Sequence, residues 1–298
     1  MRISKPGIYR GVSSADYHSD PCPEPSISQS LCKMILEHSA GHAFTAHPRL
    51  NPATEEDGDP KFDVGNAAHR MILGRGKDFE VLPFTDWRKK EAKDAREAAA
   101  AVGKIGILTE QYERASRMAI LANTQLEHHE DRDAFTEGDA EVMICWEEDG
   151  IWFRSLIDWL HADLHTVDDY KSSDMSMAPH VLGVRAERAG WHIQHAFIER
   201  GLDILDPAGA GRRKFRNIAQ EAFEPHALTV MHMDETWMTM GRKQVSTAVS
   251  IWKRCIESGR WPSYTARSIV PVFPGYKEAQ WLERELSGEF DTSLTMAG

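Results

Sequence analysis

This 298-residue sequence has only four cysteines and no long apolar run. No apolar stretch approaches the ~20 residues that a membrane-spanning helix needs. The N-terminus has two early charges but no apolar run behind them, which is not the pattern of a signal peptide. The four cysteines form no Cys-x-x-Cys pair, which argues against a zinc knuckle or a disulfide framework. We therefore expect a cytoplasmic protein with no membrane partner and four separate, reduced thiols, Cys22, Cys32, Cys145 and Cys255.

Positive charge is also scarce, since 35 Lys and Arg residues stand against 46 Asp and Glu residues and give a formal net charge of -11. This balance weighs against nucleic-acid binding, because phosphate contacts need cationic side chains. A binding surface is local, however, and such clusters either bind phosphate or lie on solvated faces. Nucleic acid therefore stays open as a ligand. The basic clusters are Arg70, Arg75 and Lys77; Lys89, Lys90 and Lys93; and Arg212, Arg213, Lys214 and Arg216.

The first half of the chain has mainly helical patterns. Hydrophobic residues make up 41% of the sequence, enough for a sizeable core, and the length permits one elaborated domain. Ser28 or Ser30 can cap a short helix, and residues 51–60 are acidic and rich in helix breakers, which indicates an exposed loop. Residues 64–74 suit a buried helix. From Leu108 to Leu126, apolar residues follow the spacing of an amphipathic helix.

The hydrophobic period then changes to that of strands. Residues 142–146 alternate in character, and residues 151–160 and 166–172 are rich in β-branched and aromatic side chains. Short turns between these three segments predict an antiparallel meander. A long helix, capped within residues 172–174, is expected to about Leu205. Strands at 215–222 and 227–233 and a last helix around Trp252 follow, so the order predicts a mixed α/β domain.

The second and third strands of this meander carry a candidate reaction centre. Side chains two positions apart in a strand share a face, so Asp169 and Lys171 point the same way and Asp168 points the other way. The short turn should bring Asp158 close to Asp169. Two such carboxylates repel each other unless a cation lies between them, and oxygen ligands favour Mg²⁺ or Mn²⁺ over zinc. With Lys171 to orient water and neutralise phosphate charge, the group meets the needs of phosphodiester hydrolysis.

An Asp-x-Lys triplet alone is usually a surface ion pair, but four short motifs occur here in order. They are GNAAH at 65–69, SLIDWL around Asp158, VDDYKSS around Asp169 and Lys171, and WHIQHAFIERGL around Gln194. In this order they resemble the PD-(D/E)XK nuclease superfamily. Within it they resemble the RecE-type exonucleases (exodeoxyribonuclease VIII-like), relatives of phage lambda exonuclease and the RecB nuclease domain. The opening SISQSLCKMILEHSAGHAF also resembles phage and prophage relatives, and the similarity spans about residues 7–264.

The resemblance implies a restriction-endonuclease-like core, a central mixed sheet flanked by helices. It would be a single nuclease domain over 1–298, with an N-terminal helical extension to about 60 and a C-terminal helical addition from about 235. Some nucleases with this core hold an iron–sulfur cluster with one early and three late cysteines. Only Cys255 is late here, so we expect no cluster.

The resemblance also implies roles for single residues. A divalent cation would be held by His69, Asp158 and Asp169, and the catalytic group would be Asp158, Asp169, Lys171, Gln194 and Glu141. Glu141 is placed at the start of the first strand, and Glu137 and Asp139 compete with it for the place of an extra acid. The family's tyrosine four residues after the glutamine is replaced by Ile198. Four further histidines near the motifs receive no role: His161, His165, His192 and His195.

The activity implied is a Mg²⁺- or Mn²⁺-dependent 5′-to-3′ exonuclease on double-stranded DNA. It would leave a 3′ single strand for a RecT-type annealing protein in phage-type recombination, would assemble as a homo-oligomeric ring, and would act in a bacterial or phage-infected cytoplasm. Two alternatives stay open. One is a structure-specific or repair endonuclease on the same core. The other is a non-catalytic DNA-binding or assembly module, which Ile198 and the negative net charge motivate.

Overall fold

A mixed β-sheet of seven strands forms the centre of the first structural unit, Met1–Ser263. A computed structural model describes residues 2–52, 63–76 and 78–290 of the protein. In these ranges the strands are β1 (Gly7–Tyr9), β2 (Ser26–Ile27), β3 (Phe79–Leu82), β4 (Ile105–Leu108), β5 (Gly138–Glu148), β6 (Ile151–His161), β7 (Thr166–Ser173), β8 (Lys214–Glu221) and β9 (Leu228–His232). The sheet order is β1-β5-β6-β7-β8-β9 with β2 against β6, and β3 and β4 form a separate parallel pair.

Helices cover both faces of this sheet. Among the described residues of the first unit they are α1 (Ser14–His18), α2 (Gln29–Glu37), α3 (Ala40–Ala46), α4 (Asp63–Leu73), α5 (Lys90–Ala101), α6 (Thr109–Glu127), α7 (Pro179–Ala189), α8 (Trp191–Leu205) and α9 (Glu235–Ser258). On one face, Phe197 of α8 and Trp252 of α9 share a core with Val142 and Phe153. On the other face, α4 and α6 pack on Tyr170 and Ile218.

The predicted meander is confirmed, since β5, β6 and β7 pair antiparallel in chain order. β7 then pairs parallel with β8, with Asp169 beside Asn217, and β8 pairs antiparallel with β9. The sheet is therefore mixed and flanked by helices, as the predicted α/β class requires. The Ser28 hydroxyl accepts from the Leu31 amide and caps α2, so Ser28 and not Ser30 is the cap.

One predicted helix is wrong in its extent. The expected long helix after the meander is two helices, because Gly190 takes a left-handed φ of 74° that ends α7, and α8 starts at the next residue. Ser172 and Ser173, which were expected to cap it, lie in β7. Pro179 begins α7 instead, since its fixed φ and missing N–H suit a first helical turn.

Several short or polar elements have no sequence signal and were not predicted. β1 and β2 have three and two residues, and both add to the main sheet from the segment expected to be a helical extension. α5 is mostly exposed and carries the Lys90 and Lys93 of one predicted basic cluster. Most of the predicted 51–60 loop, and Lys77, lie outside the described residues. The proposed division at about 60 and 235 stays a prediction.

The second unit, Tyr264–Gly298, has one described helix, α10 (Gly275–Leu286), which was also not predicted. Trp281 stacks on Phe290 with ring centroids 4.7 Å apart, and the Arg284 guanidinium lies 4.6 Å from the Phe290 ring centre. In the described part of the chain, no helix combines the length and apolar character that crossing a membrane requires.

The cysteines differ from the expectation in one respect. All four are free and buried, but Cys22 and Cys145 are not separate, because their sulfur atoms lie 2.9 Å apart. They are 123 positions apart in the chain, and the approach results from the N-terminal segment packing against β5, where both thiols share a small core with Tyr17.

Candidate active site

Asp158, Asp169 and Lys171 come together where β6 and β7 separate. The ladder between these strands has only the pairs Trp159–Asp168 and Leu160–Val167. Beyond it Tyr170 pairs with Ile218 of β8 but not with β6, and its amide donates to Asp158 Oδ2 at 3.1 Å. Lys171 Nζ lies 2.6 Å from Asp169 Oδ2. The fork between the strands thus holds both carboxylates and the ammonium, as strand parity and the short turn predicted.

Asp168 points to the opposite face, also as predicted. It is fully buried, lies 2.7 Å from His161 Nε2, and accepts from Arg216 Nε at 2.6 Å. Arg216 is 4% exposed and also contacts Asp133. The adjacent Arg213 is held by Asp203 and Asp206. The interpretation of 212–216 as a basic surface cluster is therefore wrong for these two arginines, because their side chains are buried and paired with aspartates.

A break in the ladder between β5 and β6 places Glu141 beside this site. Every residue of β5 has a partner on β6 except Glu141, and every residue of β6 from Ile151 to His161 has one on β5 except Asp158. Glu141 has a left-handed φ of 49°. The prediction that it begins the strand is wrong, since β5 begins at Gly138. Because of this local break, the Glu141 side chain points in a direction that a regular strand would not give it.

His69 approaches the same carboxylates from α4. Its Nε2 atom lies 3.3 Å from Asp158 Oδ2. A side chain at Gly76 would meet Glu141 Oε1 and His69 Nδ1, each at 3.3 Å, so the glycine leaves room where these two groups approach each other. Helix α4 itself can lie close to β7 because Gly65 has no side chain, and a Cβ there would come within 2.5 Å of the Ser172 hydroxyl.

Two amides hold Asp169 in place. Gln194 of α8 donates to Asp169 Oδ1 at 2.7 Å and accepts from Lys171 Nζ at 3.2 Å. Asn217 of β8 donates to Asp169 Oδ2 at 3.0 Å, and its own oxygen contacts His195 Nε2 at 2.9 Å. Sequence reasoning missed Asn217 and gave His195 no role. The parallel register that sets Asn217 beside Asp169 joins strands 48 residues apart, and no local pattern encodes it.

The charges of the site depend on one another. Burial and the nearby Asp158 carboxylate raise the pKa of Asp169 to about 6, against the effect of Lys171. His69 and Lys171 outweigh burial and lower the pKa of Asp158 to about 2. Burial and Asp158 raise the pKa of Glu141. Asp158, and to a lesser extent Glu141 and Asp169, raise the pKa of His69 against the effect of burial. Such divergent pKa values are typical of functional sites.

Ile198, which replaces the expected tyrosine, lies away from these groups. It is 1% exposed and belongs to the core between the sheet and α8. A phenol at this position would have to bury its hydroxyl among apolar side chains. The departure from the family pattern therefore matches local packing, and it leaves the Asp169–Gln194 contact intact.

The residues of this fork suit a hard divalent cation by their chemistry. Carboxylate oxygens with one imidazole nitrogen are ligands that Mg²⁺ and Mn²⁺ accept, and a cation bound between Asp158 and Asp169 would reduce the repulsion between the two carboxylates. Across residues 2–52, 63–76 and 78–290, however, no three His, Cys, Asp or Glu side chains are arranged as a ready ligand set. Lys171 and His69 now contact the carboxylate oxygens, so binding would require them to move.

A cleft of about 520 Å³ opens beside Glu141. Residues of the N-terminal segment and of the turn after α4 form its walls, and Arg70, Arg75 and Lys104 are among them. Arg75 and Arg70 act against the rise in the pKa of Glu141, which shows that their charges reach its carboxylate. Glu141 is the residue of the acidic group that lines this cleft, together with Asp78.

Comparison with known proteins agrees with this architecture. The family model described as "PDDEXK-like domain of unknown function (DUF3799)" matches residues 28–268. A crystal structure of a protein from Eubacterium rectale, described as a "putative exonuclease", superposes with a TM-score of 0.58 at 11% identity and covers 91% of this chain and 98% of that one. At this identity the likeness concerns the fold. No curated protein matches the sequence. The family match covers most of the chain, and the protein therefore belongs to this family of PDDEXK-like domains.

Proposed function

We propose that the protein is a metal-dependent deoxyribonuclease that hydrolyses phosphodiester bonds. The observation that carries the proposal is the fork between β6 and β7, where Asp158, Asp169 and Lys171 meet. The protein belongs to a family of PDDEXK-like domains, and the sequence resemblance to PD-(D/E)XK nucleases assigns these three residues to the motif. A merely structural Asp–Lys pair would not need a second, partly exposed carboxylate that raises the pKa of the first.

Asp158 and Asp169 would hold a Mg²⁺ or Mn²⁺ ion, with His69 and Glu141 as further candidate ligands. A cation bound there would supply positive charge to the phosphate and lower the pKa of a water molecule. Lys171 remains cationic, because Asp169 and Asp158 raise its pKa against the effect of burial. Its ammonium can hold the attacking water or a phosphate oxygen by hydrogen bonds, while Gln194 fixes the relative positions of Lys171 and Asp169.

The substrate in this proposal is double-stranded DNA, cut from the 5′ end. The cleft next to the fork has Arg75 and Lys104 on its wall, whereas Arg70 there is paired with Asp78. Arg75 and Lys104 support a polyanionic substrate despite the net charge of -11. The word exonuclease in the description of the Eubacterium rectale protein is in keeping with this mode. The remaining parts of this proposal rest on the sequence resemblance to RecE-type exonucleases. They are the polarity, a ring-shaped homo-oligomer, a RecT-type annealing partner, phage-type recombination and a cytoplasmic location.

An endonuclease on the same core is the second candidate, because the described residues around the fork do not include a feature that requires a DNA end. A non-catalytic module is less well supported. A retired site need not keep Asp169, the lysine and two amides in mutual hydrogen-bond contact.

The decisive experiment is digestion of linear duplex DNA labelled at either the 5′ or the 3′ end, with Mg²⁺, beside a covalently closed circle. Early release of the 5′ label with an intact circle is the expected result, and a nicked circle would identify an endonuclease. Asp169→Ala and Lys171→Ala should abolish both reactions. Asp149→Ala and Lys253→Ala are matched controls, since this surface Asp–Lys pair, 3.4 Å apart, lies outside the fork. Undiminished digestion by the two fork variants would refute the proposal.

A further inference from the structure

The Asp169 carboxylate has almost all of its hydrogen-bonding capacity in use. Two carboxylate oxygens offer about four acceptor positions. Oδ2 receives Lys171 Nζ at 2.6 Å and Asn217 Nδ2 at 3.0 Å, and Oδ1 receives Gln194 Nε2 at 2.7 Å. Lys171 has a flexible stem and can exchange partners. The two amides are shorter side chains on a strand and a helix, so they determine the direction of the remaining acceptor position.

Asn217 is itself oriented by His195. Because the Asn217 amide nitrogen donates to Asp169, its oxygen must accept from His195 Nε2, 2.9 Å away. Both side chains are fully buried. His195 Nδ1 has no hydrogen-bond partner among the described residues, which places the proton of a neutral ring on Nε2. Burial lowers the pKa of His195 to about 3, so the ring is neutral at neutral pH.

The imidazole has little freedom to move away. His195 follows Gln194 directly on α8, and its ring packs on Phe215, with centroids 4.8 Å apart. Phe215 and Asn217 are alternate residues of β8, so they share a face. A chain of hydrogen bonds therefore runs from His195 on α8 through Asn217 to Asp169. In each of these bonds only one of the two groups can be the donor.

We propose that Asn217 and His195 are positioning residues that set the orientation of Asp169 for cation binding. The proposal rests on the proposed function, since it assigns to Asp169 the cation of that same site. Groups that orient metal ligands in this way typically change metal affinity or activity by about 10–100-fold when they are lost. The pair would act on cation binding and not on substrate binding. Its loss should therefore change the Mn²⁺ concentration that the protein needs and leave KM for DNA unchanged.

The test uses Mn²⁺ titrations of the full chain with two readouts, the rise in melting temperature and the rate of DNA digestion. His195→Gln keeps a donor at the place of Nε2. His195→Asn places its amide nearer to Nδ1, and His195→Phe keeps the ring shape without a donor. Asn217→Ala removes the link itself. The matched control is His192→Phe, because His192 is also buried on α8 but its Nε2 contacts Gln244 of α9 at 2.6 Å.

The Mn²⁺ concentration at the midpoint of the titrations should rise at least about 10-fold in Asn217→Ala, His195→Phe and His195→Asn. It should stay near the wild-type value in His195→Gln and be unchanged in His192→Phe. The melting temperatures without metal show which variants are folded. Equal midpoints in wild type, His195→Phe and Asn217→Ala would overturn the positioning role, even if wild type digests DNA. Absence of DNA digestion with these midpoint shifts present would instead overturn the proposed function and leave the positioning role standing. A wild type that Mn²⁺ neither stabilises nor activates for DNA digestion would overturn both.

Discussion

Glu141 and Asp158 stand opposite each other in β5 and β6, and they are the residues at which the pairing of these two strands is interrupted. A regular ladder would direct both side chains by strand parity alone. Here Glu141 adopts a φ of 49°, which a residue with a Cβ takes at a cost of roughly 1–2 kcal/mol. Such local irregularities next to active sites re-aim side chains, and this one aims a carboxylate toward His69 and the basic cleft.

This strain leads to a prediction about Glu141. Glu141→Gly should be at least as stable as Glu141→Gln, because glycine takes the left-handed conformation without steric cost. Chemical denaturation of both metal-free variants measures the difference. The control pair is Glu147→Gly and Glu147→Gln in the regular part of β5, where glycine should cost about 0.5–1 kcal/mol. A Glu141→Gly protein that is clearly less stable than Glu141→Gln would show that the conformation is not strained.

The same isosteric change should destabilise the protein much more at Asp168 than at Asp169. Asp168→Asn removes the charge that faces Arg216 and His161 inside the protein, and breaking such a buried pair costs about 3–5 kcal/mol. Asp169→Asn also removes the partner of Lys171, but it relieves the burial of a charge and the repulsion from Asp158 that raise the pKa of Asp169, so it should cost clearly less than Asp168→Asn in the metal-free protein at pH 7.5. Urea denaturation gives both values. Equal destabilisation by the two variants would contradict the arrangement.

The free energy of unfolding should change with pH in the way that the raised pKa of Asp169 requires. Its folded pKa of about 6 lies above the ordinary value of 3.8, so between about pH 4 and 6 the folded protein keeps a proton that the unfolded chain has released. This contribution to stability is present below about pH 4 and is lost as the pH rises through 6. The stability of Asp169→Asn relative to wild type should therefore increase from pH 4 to 7. Asp158 has the opposite sign, since its pKa of about 2 gives stability above pH 4 that is lost toward pH 2.

Mn²⁺ should raise the melting temperature of the wild type by mass action, because only the folded chain brings Asp158 and Asp169 together. Asp158→Asn should lose most of that rise. The rise should also shrink below about pH 6, where protons compete for Asp169. Differential scanning fluorimetry at pH 7.5 and 5.0 provides the comparison. An equal rise in Asp158→Asn and wild type would mean that the cation binds elsewhere.

A packing prediction concerns the contact between α8 and α9. A Cβ at Gly241 would lie 2.3 Å from the His192 carbonyl oxygen and 2.8 Å from the Ala196 Cβ, so Gly241→Ala should push the helices apart and cost about 1–3 kcal/mol. Gly183→Ala in α7 is the control, because the nearest atom there is 3.9 Å away. It should stabilise the protein by about 0.5–1 kcal/mol through its better helix propensity. A neutral Gly241→Ala would disprove the tight contact.

Local sequence patterns predicted the elements that are long and regular. The meander from β5 to β7 follows from alternation of side chains over residues 142–172 and from short turns, and strand parity correctly separated Asp169 from Asp168. The break at Gly190 was missed because the apolar spacing continues through it. Strands of two to four residues, such as β2 and β4, bury too little surface to leave a pattern, and their pairing depends on partners far away in the chain.

The sequence by itself determined which groups the site can use, because a hairpin and a strand's two-residue period already bring Asp158, Asp169 and Lys171 to one place. Only the tertiary structure decided how these groups are held. Asn217 and His195 reach Asp169 because β8 returns in parallel beside β7, and Glu141 reaches the site through a local break in pairing. Tertiary burial also decided that Arg213 and Arg216 neutralise aspartates and do not form a basic surface. These outcomes depend on long-range packing and desolvation, which no short sequence pattern encodes.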